Sequence, residues 1–104
     1  MTSSPLVTIG LPVYNSERFL EQSLQSLLAQ TWSDFVLIIS DNASTDGTAE
    51  LCTRYAQADA RIRYYRNETN IGNPRNFNRV FALTATPYLK WSTSDDYWAP
   101  TFLE

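Results

Sequence analysis

Two adjacent carboxylates, Asp95 and Asp96, stand in the last polar stretch of the sequence. Neighbouring acids repel each other, and a divalent cation relieves that repulsion. Hard ions such as Mg²⁺ and Mn²⁺ take oxygen ligands from one or two carboxylates together with substrate phosphates. Such an ion also neutralises charge on a departing diphosphate. A solvated turn or a helix cap would use the same two acids without any metal. Asp41 is the next candidate: a carboxylate at a strand end can accept a hydrogen bond from an N–H edge, such as the imide of a base, or can simply cap a loop. Arg75 offers a fork suited to phosphate or base carbonyls, or serves as a solvated helix residue. Tyr14, Tyr97 and Trp98 could stack on a base or a sugar, or pack. The chain has no histidine and one cysteine, Cys52. Histidine bases, histidine ligands, an internal disulfide and a CxxC metal site are therefore excluded. Chemistry has to rest on carboxylates, hydroxyls, arginine, tyrosine or a metal held by oxygen, and Cys52 reads as helix packing.

Alternating short apolar runs and helical periodicities position these residues. Residues 6–11 read as a buried strand closed by Pro12. Residues 16–30 carry Phe19, Leu20, Leu24, Leu27 and Leu28 at helical spacing, with Asn15 or Ser16 able to cap the start. A second strand spans 35–39, followed by a polar loop over 40–47 and a helix over about 46–57 with Leu51 and Tyr55 on one face. A third strand spans 62–65, a loop 67–74 and a helix 76–83 carrying Phe77, Val80 and Phe81. A fourth strand starts over 87–91, and 92–100 leaves it as a polar, aromatic loop. Alternation of this kind predicts an α/β fold: a mainly parallel sheet with helices on both faces.

In an open parallel sheet, ligands bind outside the carboxyl ends of the strands. Pro12, Val13, Tyr14 and Asn15 follow the first strand. Asp41, Asn42 and Ser44 follow the second, Asn70 and Gly72 the third, and Ser94, Asp95 and Asp96 the fourth. Each cluster alone is an ordinary loop. Together they predict one site on one edge of the sheet.

The chain has 104 residues, 43% hydrophobic and 18% charged, which suits one globular domain. Its net charge of −3 argues against general affinity for nucleic acid or anionic membranes. Arg61, Arg63, Arg66, Arg75 and Arg79 nevertheless lie close together in sequence, as a local pole for phosphate or as solvated faces. No apolar run approaches the ~18 residues that span a bilayer. Cytoplasmic placement follows as the default, with peripheral association at the inner face of a membrane left open. A four-strand sheet leaves an apolar edge, so residues 1–104 read as part of a larger domain, or as a chain that self-associates through that edge. There is no G-x-G-x-x-G after the first strand and no G-x-x-x-x-G-K-[ST] anywhere, which disfavours NAD-dependent and P-loop chemistry. A nucleotide-binding module without transfer chemistry remains the competing reading.

The runs PVYNSERFLEQSLQSLLAQT (12–31), DNASTDGT (41–48), NIGNPRN (70–76) and SDDYWAP (94–100) resemble, in order and spacing, the family 2 glycosyltransferases. That resemblance covers nearly the whole chain. It implies the Rossmann-like, nucleotide-binding half of a GT-A fold. The implied activity is transfer of a sugar from a nucleoside-diphosphate donor, UDP- or dTDP-linked, to an acceptor hydroxyl on a sugar or glycoconjugate. It also implies inversion and Mg²⁺ or Mn²⁺. Pro12, Val13, Tyr14 and Asn15 would flank the nucleoside, Asp41 with Asn42 would meet the base, and Arg75 would lie near the nucleotide. Asp95 and Asp96 would form the DXD-type metal motif, with Asp95 also near the donor. Family members often read DxDD here, whereas Thr93 stands at the first acid of this chain. The general base would be a carboxylate from a later half, so residues 1–104 alone are expected to bind nucleotide weakly and transfer little.

Overall fold

The apolar run near the N-terminus becomes the strand around which the sheet is built. In the computed structural model, which describes residues 6–30 and 34–93, β1 (Val7–Val13) lies between β2 (Phe35–Asp41) and β4 (Tyr88–Trp91). β3 (Ile62–Arg66) flanks β2, giving the order β3-β2-β1-β4 with every described pairing parallel. Three helices connect them among the described residues: α1 (Glu17–Leu28), α2 (Thr48–Ala58) and α3 (Asn73–Leu83). β2 is buried along its whole length, which explains its unbroken apolar run.

Side chains alternate across the sheet, and each face has its own cover. Ile9, Leu11, Val13, Phe35, Leu37, Ile39 and Ile62 pack with Leu20, Leu24 and Leu27 of α1 and Cys52 of α2. On the other face, Val36 and Ile38 pack with Val80 of α3. Helices on both faces of a parallel sheet is the arrangement expected from the sequence.

Gly10 lies where α3 crosses β1. A Cβ there would fall 2.6 Å from Val80 Cγ1 and 3.2 Å from Leu89 Cδ1. Val80 is fully buried and β-branched, so it has little room to yield. Gly10→Ala is expected to destabilise the chain by about 1–3 kcal/mol in urea denaturation. An unchanged midpoint would contradict this close approach.

Several boundaries differ from the sequence reading. Pro12 does not close β1; it sits within it, opposite Ser40. The Gly10 carbonyl accepts from Ser92 on the β4 side, and the Val13 carbonyl accepts from Asn42 on the β2 side. The alternation turns the Pro12 nitrogen toward β4, past the last β4 pairing at Trp91, where a missing N–H costs no ladder bond. β2 runs on through Ser40 and Asp41, because Asp41 still pairs with both Val13 and Arg66. α3 begins at Asn73, three residues before the expected start, with Pro74 in its first turn. Proline is tolerated there because the first N–H groups of a helix have no intrahelical partner.

Cys52 packs in the core as read. It is fully buried, and burial, with the Asp41 and Asp46 charges adding to it, pushes its thiol up to about 12. Native chain at pH 8 is expected to be inert to a disulfide reagent and to react fully once unfolded. Rapid labelling of the folded chain would contradict that burial.

Candidate functional site

The carboxyl edge of the sheet is assembled by loops that bond to one another. After β1 the chain turns through Asn15, whose φ of 45° lies in the left-handed region that asparagine tolerates. Its N–H donates to Ser44 Oγ at 2.8 Å, and its side-chain carbonyl accepts from the Thr45 N–H at 2.7 Å. The β1–α1 loop is thus stitched to the β2–α2 loop. The helix starts interlock as well. Ser16 N–H donates to Thr48 Oγ1 at 2.8 Å, and the Gly47 N–H donates to Glu17 Oε2 at 3.0 Å. Asp46 accepts from the Thr48 N–H at 2.9 Å and from the Glu17 N–H at 3.4 Å. Neither Asn15 nor Ser16 caps α1 with its side chain, contrary to expectation. Asn15 is taken up by the neighbouring loop, and the Ser16 hydroxyl turns back to the Tyr14 carbonyl.

Asp41 ends β2 with 0% of its surface exposed. Its Oδ1 accepts from the Ser44 N–H at 3.0 Å and the Ser44 hydroxyl at 2.6 Å. Its Oδ2 accepts from the Tyr64 hydroxyl at 2.6 Å and Arg66 Nη1 at 3.2 Å. Burial, reinforced by the bond to Asp41, drives the Tyr64 phenol well above its ordinary value, so it stays a donor. Ala43, at φ 63°, carries backbone strain in the same loop.

A second network lies beside Asp41. Asn67 donates to the side-chain carbonyls of Asn42 at 3.1 Å and Asn76 at 3.0 Å. Asn42 donates to Asn70 at 2.8 Å and accepts from the Ile71 N–H at 2.8 Å. Asn76 accepts from the Ser40 hydroxyl at 2.7 Å and donates to the Ser40 carbonyl at 3.0 Å. Buried amides satisfied in this way lock β2, the β3–α3 loop and α3 into one frame.

Against this frame lies an open cleft of about 350 Å³, lined by Pro12, Val13, Tyr14, Asn76, Phe77 and Thr93 among others. Tyr14 is 44% exposed on its wall. Phe77 packs against Trp91 with the rings tilted by 48° and their centroids 4.9 Å apart. A separate depression of about 290 Å³ between α1 and α2 is lined by Glu17, Glu21 and Glu50 with Arg54, an acidic surface that would repel phosphate.

The residues singled out in the sequence thus separate. Pro12, Val13 and Tyr14 line the cleft. Asp41 is sealed beneath its own loop, Asn15 bonds Ser44 and Thr45, and the Asn42 amide is consumed by its neighbours. Arg75 is exposed on the first turn of α3, with no polar partner among the described residues. Asp95 and Asp96, with Ser94, Tyr97 and Trp98, lie outside the described residues. Among those described, no group of three acids, histidines or cysteines could hold a metal. Sequence reasoning missed Tyr64, Asn67 and Asn76, and took Arg66 as part of a pole for phosphate or a solvated face rather than as a partner of Asp41. Tyr64 and Arg66 share a face with Asp41 by strand parity, a signal that was readable only with β2 and β3 taken to their true ends.

The family model for glycosyl transferase family 2 matches residues 8–104. The chain is 34% identical over 105 residues to the putative glycosyltransferase EpsE of Bacillus subtilis, spanning 100% of this chain and 38% of that protein. It is 33% identical over 100 residues to the putative teichuronic acid biosynthesis glycosyltransferase TuaG of the same organism, spanning 96% of this chain and 40% of the relative. Among solved structures it resembles S. aureus TarS 1-349 in complex with UDP: TM-score 0.85, 27% identity, 93% of this chain and 29% of that one. The fold also matches the mannosyltransferase PcManGT from Pyrobaculum calidifontis in complex with GDP-Man and Mn²⁺: TM-score 0.84, 23% identity, 95% of this chain and 30% of that one. The chain therefore spans about two fifths of the length of these curated relatives.

Proposed function

The chain belongs to glycosyl transferase family 2, and from that premise we propose that it forms the donor-nucleotide-binding part of an enzyme that transfers a sugar from a nucleoside diphosphate, UDP- or dTDP-linked, to an acceptor hydroxyl. One observation carries the reading: the end of β1 and the β1–α1 turn meet the first turns of α3 at a cleft on the carboxyl edge of the sheet, lined by exposed Tyr14 and by Asn73, Asn76 and Thr93. The complex of TarS with UDP and that of PcManGT with GDP-Man support a nucleotide-sugar donor.

In this reading Tyr14 stacks on the base, and the backbone of Pro12, Val13 and Asn15 flanks the nucleoside. Asp41 accepts the imide N–H, and Asn42 holds the loop that presents it. Arg75, exposed and without a polar partner among the described residues, meets the diphosphate. Asp95 and Asp96 follow Thr93 by two and three positions in sequence. Their side chains offer only hard oxygen donors, which fits Mg²⁺ or Mn²⁺. The ion, when bound, supplies charge neutralisation for the leaving diphosphate. PcManGT was solved with Mn²⁺, which supports a divalent ion here.

The described cleft wall carries no carboxylate. Inverting transfer to a hydroxyl would need a base from elsewhere in the enzyme. The likeness to TuaG points to polysaccharide or glycoconjugate as the acceptor. No helix among the described residues is long and apolar enough to cross a membrane.

Titration calorimetry of the chain with UDP and dTDP in the presence of Mg²⁺ tests the reading. Saturable binding at micromolar to millimolar concentration is expected. No heat with any nucleoside diphosphate would contradict it.

A further inference from the structure

A carboxylate offers about four lone-pair sites, and in the free chain four donors already occupy those of Asp41: the Ser44 N–H, the Ser44 hydroxyl, the Tyr64 hydroxyl and Arg66 Nη1. With no surface exposed, Asp41 can meet a ligand only if one donor withdraws. The donors differ in how readily they can do so. Both Ser44 groups belong to the loop that Asp41 itself braces. Tyr64 packs against the core at the shortest contact on Oδ2, 2.6 Å. Arg66 makes the longest contact of the four, 3.2 Å, through a side chain that is 43% exposed. It stands at the carboxyl end of β3, on the ligand edge of the sheet, and its second fork nitrogen reaches the Ser44 carbonyl at 3.0 Å.

We propose that Arg66 is a specificity-determining residue of the nucleoside site: it covers Asp41 in the free chain, yields Oδ2 to the imide N–H of a uracil or thymine base, and then donates to the carbonyl beside that imide. The inference rests on the reading of Asp41 as the acceptor of the base. The chemistry is complementary. An aspartate acceptor next to an arginine donor matches the donor–acceptor edge of an imide. At the 4-position side of the ring nitrogen, cytosine presents the opposite order, an unprotonated ring nitrogen beside an amine, and with Arg66 on that side both protein groups would be mispaired.

The test is the ratio of UDP to CDP affinity, measured by calorimetry on the wild-type chain, Arg66→Ala, Arg66→Lys and Asp41→Ala, with the fold of each checked by thermal melting. The wild type is expected to prefer UDP by about tenfold or more, the discrimination given by a good two-point base contact. Arg66→Ala is expected to bring the ratio to within about threefold, and Arg66→Lys, with one donor instead of a fork, to fall between. A general loss of structure would lower both affinities together and leave the ratio intact. An unchanged ratio in folded Arg66→Ala overturns the proposal. If that variant does not fold, an unchanged ratio in Arg66→Lys does so. Wild-type UDP affinity in Asp41→Ala, or a wild-type ratio near one, removes instead the base-reading role of Asp41.

Discussion

Replacing Asp41 by alanine is expected to lower stability by about 2–4 kcal/mol and to weaken nucleotide binding by about tenfold or more. The stability loss follows from what the carboxylate holds. Its removal strands the Tyr64 and Ser44 hydroxyls and releases Arg66 from its ion pair. The Arg66 guanidinium is close to half exposed, so water recovers part of its loss and the upper end of that range is disfavoured. The binding loss follows from the same position, because Ser44 also anchors the Asn15 N–H and so fixes the β1–α1 loop beside the cleft. A total stability of roughly 5–15 kcal/mol is ordinary for a domain, so the variant should still fold at low temperature, where both effects can be read separately. Asp41→Asn should be milder, since its amide keeps one accepting oxygen. Urea denaturation and UDP calorimetry on the same samples decide the matter. Wild-type stability would show that the network carries no load, and wild-type affinity would remove Asp41 from the site.

The second large effect concerns the metal. The double substitution Asp95→Ala/Asp96→Ala is expected to abolish the enhancement of UDP binding by Mn²⁺, a loss on the order of 10–100-fold, while binding in chelator is not weakened and tightens slightly. The direction follows from charge: two acids without an ion repel a diphosphate, and with an ion they share it. Thr93 and Ser94 precede the pair and bring no further carboxylate, so Asp95 and Asp96 are the only acids of this stretch to hold the ion, which favours modest metal affinity. The single variants then separate the two carboxylates, the one in direct contact giving the larger loss. Equal Mn²⁺ enhancement in the wild type and the double variant would contradict the assignment.

The order of elements was legible because hydrophobic period is a local signal. β2 reads as a strand because both its faces are covered, and α1 because Leu20, Leu24 and Leu27 recur at helical spacing. Convergence of the loops after β1, β2 and β3 on one edge followed from parallel topology alone. Pro12 was misread because its tolerance depends on where β4 stops, a fact held elsewhere in the chain. The same holds for the caps: Asn15 and Ser16 have the right chemistry, but Thr45 and the Tyr14 carbonyl compete for them. The candidate site was legible as residue types and illegible as partnerships. Nothing local to Asp41 tells that Tyr64 and Arg66 seal it, or that Asn42 spends its amide on Asn67 and Asn70. A polar residue near a ligand edge can serve the ligand or the frame, and long-range contacts decide which.

The most direct test of the central claim is an NMR titration of the ¹⁵N-labelled chain with UDP and Mg²⁺. The account predicts that amide shifts concentrate in residues 13–16, 41–45 and 70–76, with the outer groove between α1 and α2 unmoved. Shifts centred instead on Glu17, Glu50 and Arg54, or no shift at millimolar UDP, would contradict the placement of a donor nucleotide on the carboxyl edge of this sheet.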